Sequence, residues 1–129
     1  MGEWLLKNKS YDFSLRIVKL MQFLQDQKKE FTLSRQVLRS GTSVGALVRE
    51  AQYGQSDADY LNKLQIALKE ANETDYWLSL LHDTRYIETQ LFTSLQKDCS
   101  ELMALLISTI KTVKARQSEK KPKTIKPKN

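Results

Sequence analysis

Residues 1–121 contain no proline, and apolar side chains recur through them at the three- and four-residue spacing of a helix. No segment shows the sustained alternation of a strand. Four helices are predicted, one from just after Ser10 to about Lys28, one from Thr32 to Gly54, one from Ser56 to Asp83 and one from Glu88 to Lys114. Because the connections are only a few residues long, sequential helices must run antiparallel. The predicted fold class is all-α, an up-down-up-down four-helix bundle.

The charge is unevenly distributed along the chain. The whole net charge of +6 lies in residues 114–129, where seven basic residues face one acid, Glu119. We therefore divide the chain into a bundle, residues 1–114, and a basic tail, residues 115–129. The tail holds both prolines and a single large apolar residue, so it cannot bury enough surface to offset the entropy of ordering, and we expect it to be disordered. It is either an arm that contacts nucleic-acid phosphates or a solubilising terminus.

Three arginines share one stripe of the second predicted helix, namely Arg35, Arg39 and Arg49. Guanidinium groups bind phosphates bidentately, but they also pair with carboxylates, and Glu70 and Glu73 lie on the next helix. We interpret most of these arginines as ion-pair partners and keep all three as candidates for a nucleic-acid surface. The full candidate set for nucleic-acid binding is Arg35, Arg39, Arg49, Arg116, Lys120, Lys121, Lys123, Lys126 and Lys128.

Two small features have a structural interpretation. Gly41 and Gly45 lie four residues apart, each at a cost of about 1 kcal/mol of helix propensity relative to alanine, which indicates a close approach between helices. A phosphate-binding loop would need a preceding strand. Cys99 is the single cysteine and falls on the apolar stripe of the last helix, so we expect a buried thiol rather than a nucleophile.

The fourth predicted helix has more apolar surface than one face of a bundle uses. The candidate residues for an oligomer interface are Met103, Leu105, Ile107 and Ile110, with Trp77 on the third helix. A helix that is apolar on two faces is usually covered on both, so we predict a homo-oligomer. The alternative is a somewhat wider core that absorbs these side chains.

An enzyme is the less favoured class. A di-metal site in a four-helix bundle needs Glu-x-x-His motifs on two helices, and this chain has one histidine, His82. No recognisable order of serine, histidine and acid occurs either. We expect no enzymatic activity, no cofactor and no metal. Because the longest apolar run spans only residues 102–107, we also expect no membrane segment and a cytoplasmic location.

Two segments carry a family resemblance, LRSGTSVGALVREA at 38–51 and ALKEANETDYWL at 67–78. From about Ser10 to Val113 the chain closely resembles the bacterial four-helix-bundle family named after proteins encoded by intervening sequences in 23S ribosomal RNA genes, which also includes the accessory variability proteins of diversity-generating retroelements. The resemblance implies the same fold and a closed homo-oligomer, notably a cyclic pentamer. Leu47 departs from the pattern, since many members have asparagine there.

The resemblance and the charge distribution together predict a non-enzymatic, homo-oligomeric adaptor. Its partner would be RNA, DNA or a protein that handles nucleic acid, such as a reverse transcriptase, which the retroelement relatives assist, or a ribosome-associated protein. The alternative is a purely structural oligomer that serves a protein partner without binding nucleic acid.

Overall fold

The computed structural model describes residues 2–120 as four helices. They are α1 (Gly2–Lys28), α2 (Leu33–Gln52), α3 (Asp57–Asp83) and α4 (Thr89–Lys120). Each helix packs against the next, and α4 closes the arrangement against α1. The predicted all-α four-helix bundle is confirmed. None of the helices within the described residues has the length and apolar character that a bilayer span requires.

Two helix boundaries differ from the prediction. The first helix begins at Gly2 instead of after Ser10, and the buried Ser10 hydroxyl donates to the carbonyl oxygen of Lys7 at 3.1 Å. Ser10 is therefore not an N-cap. The last helix continues to Lys120, six residues past the predicted end of the bundle at Lys114. The expectation of disorder is thus wrong for residues 115–120, and for residues 121–129 it lies outside the described part of the chain.

The core takes one face from each helix. Its largest fully buried side chains include Leu6, Phe13, Ile17, Leu24, Val37, Val44, Leu64, Leu78, Leu81, Leu95, Leu102 and Leu106. Burying a side chain of this kind stabilises the fold by about 1.5–3 kcal/mol. On α2, Val48 is buried, whereas Leu47 is only half-buried at the edge of the core.

Helices α1 and α2 approach closely at the two glycines. A Cβ atom added to Gly41 would lie 2.8 Å from Cγ1 of Ile17, and one added to Gly45 would lie 3.0 Å from Oγ of Ser14. The interpretation of both glycines as packing residues is therefore confirmed.

The starts of α2 and α3 are capped by nearby side chains. The Ser56 hydroxyl accepts a hydrogen bond from the Asp59 N–H at 3.1 Å, as the sequence predicts for α3. At α2 the cap comes from Glu30, whose Oε1 accepts from the Ser34 N–H at 2.8 Å. Burial alone would raise the pKa of Glu30, but hydrogen bonds from the backbone N–H groups of α2 outweigh it and lower that pKa.

Candidate functional site

Several exposed aromatic rings are grouped at one end of the bundle. Because the helices alternate in direction, this basal end contains the start of α1, the loop between α2 and α3, and the end of α4. Three rings project there, with Trp4 70%, Tyr11 52% and Tyr53 82% exposed. Large aromatic side chains are normally buried, so exposed rings grouped at one end mark a candidate binding surface.

A groove of about 930 Å³ lies between α1 and α2 at the basal end. We call it the α1–α2 groove. Lys7 and Tyr11 line it from α1, Arg49 from α2, and Tyr53 from the end of that helix. Gly45 and Ala46 also line the groove.

Basic groups are interleaved with the rings of the groove. The Arg49 guanidinium lies 5.9 Å from the centroid of the Tyr11 ring, in a cation–π contact. Lys63 pairs with Glu50 at 3.8 Å. Neither Lys7 nor Arg49 has an ion-pair partner among residues 2–120, so both cations are available to a ligand.

A neighbouring depression of about 620 Å³ shares Lys7 and Gly54 with the groove and is bordered by Trp4. Arg116 lies on its wall and pairs with Asp57 at 3.3 Å, which joins α4 to α3. Burial and the Glu3 carboxylate raise the pKa of Tyr60 to about 12, against an opposing effect of Arg116. Arg116, predicted to bind nucleic acid, is thus already engaged in a structural ion pair.

The arginine stripe of α2 does not act as one surface. Arg39 pairs with Glu70 at 3.1 Å and also with Glu73, so its interpretation as an ion-pair partner is confirmed. Arg35 is exposed and forms no ion pair with the described residues. Arg49 lies instead in the α1–α2 groove, two turns and more along the helix.

Four of the remaining nucleic-acid candidates, Lys121, Lys123, Lys126 and Lys128, lie outside the described residues. The structure places Lys120 as the last residue of α4. Since α4 ends at the basal end, these lysines follow in the chain from the end of the bundle that holds the groove.

The candidate oligomer residues separate into buried and exposed groups. Ile110 is only 7% exposed and belongs to the core, so the prediction that it lies on an outer face is wrong. Met103 and Leu105 are half-buried against the core, while Ile107 remains 41% exposed. The alternative interpretation, a wider core, therefore holds for Ile110 and in part for Met103 and Leu105. Ile107 is left as the apolar outer residue of α4 in this set.

Trp77 is tied to its own bundle. Its indole N–H donates to Oε2 of Glu73 at 2.9 Å, and its ring meets Tyr76 edge to face with centroids 5.0 Å apart. Since Glu73 also pairs with Arg39, Trp77 belongs to the contact between α2 and α3. Its place at a subunit contact stays a prediction.

A second pocket, of about 990 Å³, opens at the opposite end of the bundle. His82 lies there with Nδ1 3.1 Å from Oδ1 of Asp83 and Nε2 3.0 Å from Oγ1 of Thr89, an arrangement that the sequence order did not reveal. Its ring stacks on Phe92 with centroids 4.4 Å apart. The order of an acid, an imidazole and a hydroxyl resembles the catalytic triad of a hydrolase. The Asp83 side chain is 76% exposed, however, so it would orient the imidazole ring only weakly. We interpret these contacts as structural interactions that hold the end of α3 against the start of α4.

Cys99 has none of the features of a nucleophile. Its side chain is fully buried, and its thiol donates to the carbonyl oxygen of Ala71 at 3.2 Å. Burial, with smaller contributions from Asp75 and Asp98, raises its pKa to about 12, so the thiol stays protonated. Within residues 2–120 no group of three or more histidine, cysteine, aspartate or glutamate side chains is placed to hold a metal ion.

The fold and the site define an all-α bundle protein whose most distinctive surface is an open aromatic groove. The chain belongs to the 23S rRNA-intervening sequence protein family, whose profile matches residues 3–108. It is also similar to a crystal structure from Bacteroides thetaiotaomicron VPI-5482, described as a protein with unknown function from the S23 ribosomal protein family. The two share 54% sequence identity and a TM-score of 0.85, over 86% of this chain and 99% of that chain. No curated protein matches the chain.

Proposed function

We propose that the protein is a non-enzymatic, homo-oligomeric helical-bundle adaptor that binds nucleic acid. One observation carries the proposal: the exposed rings and cations of the α1–α2 groove lie at the basal end, where the basic tail begins. Residues 121–129, which follow α4 in the sequence, contain four lysines and no acid. Long-range attraction of a phosphate backbone by the tail would bring nucleic acid to the groove. The family name, which refers to ribosomal RNA, favours RNA as the first ligand to test.

The non-enzymatic part of the proposal rests on the state of the reactive side chains. The Cys99 thiol is buried and protonated, and both ring nitrogens of His82 are engaged in contacts between α3 and α4. A protein that handles nucleic acid, such as a reverse transcriptase, would be a natural further partner of an adaptor of this kind.

The homo-oligomeric part rests on the surface between α1 and α4. A shallow groove of about 480 Å³ there is lined by Leu5, Ala104 and Leu105, with Lys9 and Glu101 beside them. Leu5 is partly exposed, and Ile107 is exposed on the same helix as Ala104. Lys9 and Glu101 pair with each other at 3.5 Å, so no unpaired charge of these two borders the apolar strip, and the strip can meet a second copy of itself or a neighbouring surface of that copy. A ring such as a pentamer would use the second kind of contact.

Salt dependence tests nucleic-acid binding. Full-length protein and a chain ending at Lys120 would be titrated against a labelled RNA over a range of salt concentrations. Each phosphate contact contributes about 0.7–0.9 to the slope of log affinity against log salt, so loss of the four tail lysines should reduce the slope by as much as about 3. The shorter chain keeps all four helices, because α4 ends at Lys120. If the full-length protein binds neither RNA nor DNA at low salt, the nucleic-acid proposal fails, and a structural oligomer serving a protein partner takes its place.

A further inference from the structure

We infer that the α1–α2 groove binds single-stranded nucleic acid, with unpaired bases stacked on Tyr11 and Tyr53 and phosphates held by Lys7 and Arg49. The inference rests on the proposed function, and it adds the location of the site and the kind of nucleic acid that the site takes. Neither tyrosine belongs to the arginine stripe or to the basic tail.

The exposure of the two tyrosine rings favours a ligand that stacks on them. Tyr53 follows the last residue of α2 and Tyr11 lies in the third turn of α1, so they line the groove from different helices. Both are more than half exposed. Aromatic rings left in solvent lose the stabilisation that burial would give them, and every base offers a flat face that can cover such a ring.

The positive charges beside the rings favour a ligand that carries anions. An apolar partner would have to desolvate Lys7 and Arg49, which costs free energy unless each cation meets an anion. Phosphates supply those anions at regular intervals along a strand. The arrangement of alternating rings and cations is therefore complementary to a nucleic-acid strand rather than to an apolar protein surface.

Acidic groups also line the groove, namely Glu50 and Asp59. Glu50 is paired with Lys63. Asp59 lies in the first turn of α3, where a negative charge interacts favourably with the helix dipole, and its N–H is capped by Ser56. With Lys7, Arg49 and Lys63 set against these two acids, the groove itself carries a small positive charge.

The shape of the site favours an unpaired strand. In a duplex the base faces are covered by the neighbouring base pairs, so side chains can stack on them only after the duplex opens. The tyrosine rings belong to a helix wall and a helix end, and neither forms a wedge that would open base pairs. A single strand presents its base faces without that cost.

The test is a comparison of affinities by fluorescence anisotropy at fixed low salt. The probe is a labelled oligouridylate of roughly 12 nucleotides, a length within the site sizes of other single-strand binders. The competitor is a blunt RNA duplex with the same number of phosphates per strand. Single-stranded RNA should bind the full-length protein more tightly than the duplex, although the duplex has the higher charge density.

Substitutions locate the site. Tyr53→Ala and Tyr11→Ala should each weaken binding of the oligouridylate by roughly 5- to 100-fold, the loss expected when one stacking ring is removed. Tyr53→Phe keeps the ring and should recover most of the affinity lost in Tyr53→Ala. The matched control is Tyr76→Ala, since Tyr76 is an exposed tyrosine on α3 that does not line the groove. Circular dichroism of each variant checks that the helices are retained.

The outcomes separate the two proposals. If the oligouridylate and the duplex bind equally well and the alanine variants match the control, nucleic-acid binding stands but the groove is not the site. If no nucleic acid binds at low salt, both proposals fail. If Tyr53→Ala instead changes the mass of the assembly in light scattering, the groove is a contact between copies of this chain and the inference is overturned.

Discussion

Gly41 of α2 lies against Ile17 of α1 so closely that a Cβ atom at residue 41 would be 2.8 Å from Cγ1 and 2.9 Å from Cγ2 of the isoleucine. Both residues are buried, and a β-branched side chain in a helix has essentially one rotamer, so Ile17 cannot turn away. The contact therefore fixes the distance between the two helices that form the walls of the groove.

Gly41→Ala should consequently destabilise the bundle. Alanine gains about 1 kcal/mol in helix propensity, but overpacking of a tight core costs about 1–3 kcal/mol, so a net loss of about 1 kcal/mol is expected in urea unfolding. Combining it with Ile17→Ala removes the clashing carbons, and the double variant should be more stable than the sum of the single effects implies. A Gly41→Ala protein that is more stable than the parent would contradict the close approach.

Much of this fold could be predicted from the sequence because most of the signals are local. Ser56 and Asp59 mark the start of α3 within four residues. Ser10 misled the prediction of α1, since its hydroxyl bonds inside the helix at Lys7 as readily as it would cap a helix start. The position of Ile110 depends on how a 32-residue helix lies against its neighbours, which periodicity alone does not determine.

The candidate site was harder to predict because it depends on how the helices pack in the tertiary structure. Tyr11 and Tyr53 are separated by most of two helices and line one groove only because α1 and α2 are antiparallel and in close contact. Trp4, Lys7 and Tyr11 do share one side of α1 by their spacing, and that stripe was the available signal. The interpretation of most α2 arginines as ion-pair partners is confirmed for Arg39 and is wrong for Arg35 and Arg49, which form no ion pair with the described residues.

Glu73 holds two partners at once, the Arg39 guanidinium and the Trp77 indole N–H. Glu73→Ala should lower the free energy of unfolding by about 1 kcal/mol, a modest value because the Arg39 side chain is half exposed and its ion pairs are screened by solvent. Glu73→Gln keeps an acceptor for the indole and should lose less. Glu50→Ala, which removes a pair with Lys63 on the surface, is the matched control and should change stability by less than about 0.5 kcal/mol. If Glu73→Ala and the control lower the free energy of unfolding equally, the carboxylate that Arg39 and Trp77 share stabilises the fold no more than an ordinary surface ion pair.

The Cys99 thiol predicts a dependence of stability on alkaline pH. Its pKa is about 12 in the folded protein against a reference value of 9.0, so the folded state keeps the proton that the unfolded state loses. The stabilisation is fully present below pH 9 and is lost as the pH rises toward 12, with a slope of about 1.4 kcal/mol per pH unit. Cys99→Ala should flatten this part of the profile, while Tyr60, whose pKa is also raised to about 12, titrates in both proteins. Identical alkaline slopes for the two proteins would refute the prediction.

Ile107 and Ile110 provide a paired test of the outer face of α4. Ile107 is exposed and Ile110 is buried in the core, although they are only three residues apart. Ile107→Glu should dissociate the proposed oligomer with helicity retained, because the new charge appears on the surface that a second copy would cover. Ile110→Glu should instead unfold the bundle, since it places an unpaired charge among apolar side chains.

Light scattering gives the mass of each variant and circular dichroism gives its helicity. A parent protein that scatters as a 15.0 kDa monomer at every concentration would remove the oligomer from the proposal, and an assembly that survives Ile107→Glu would place the contact on another face.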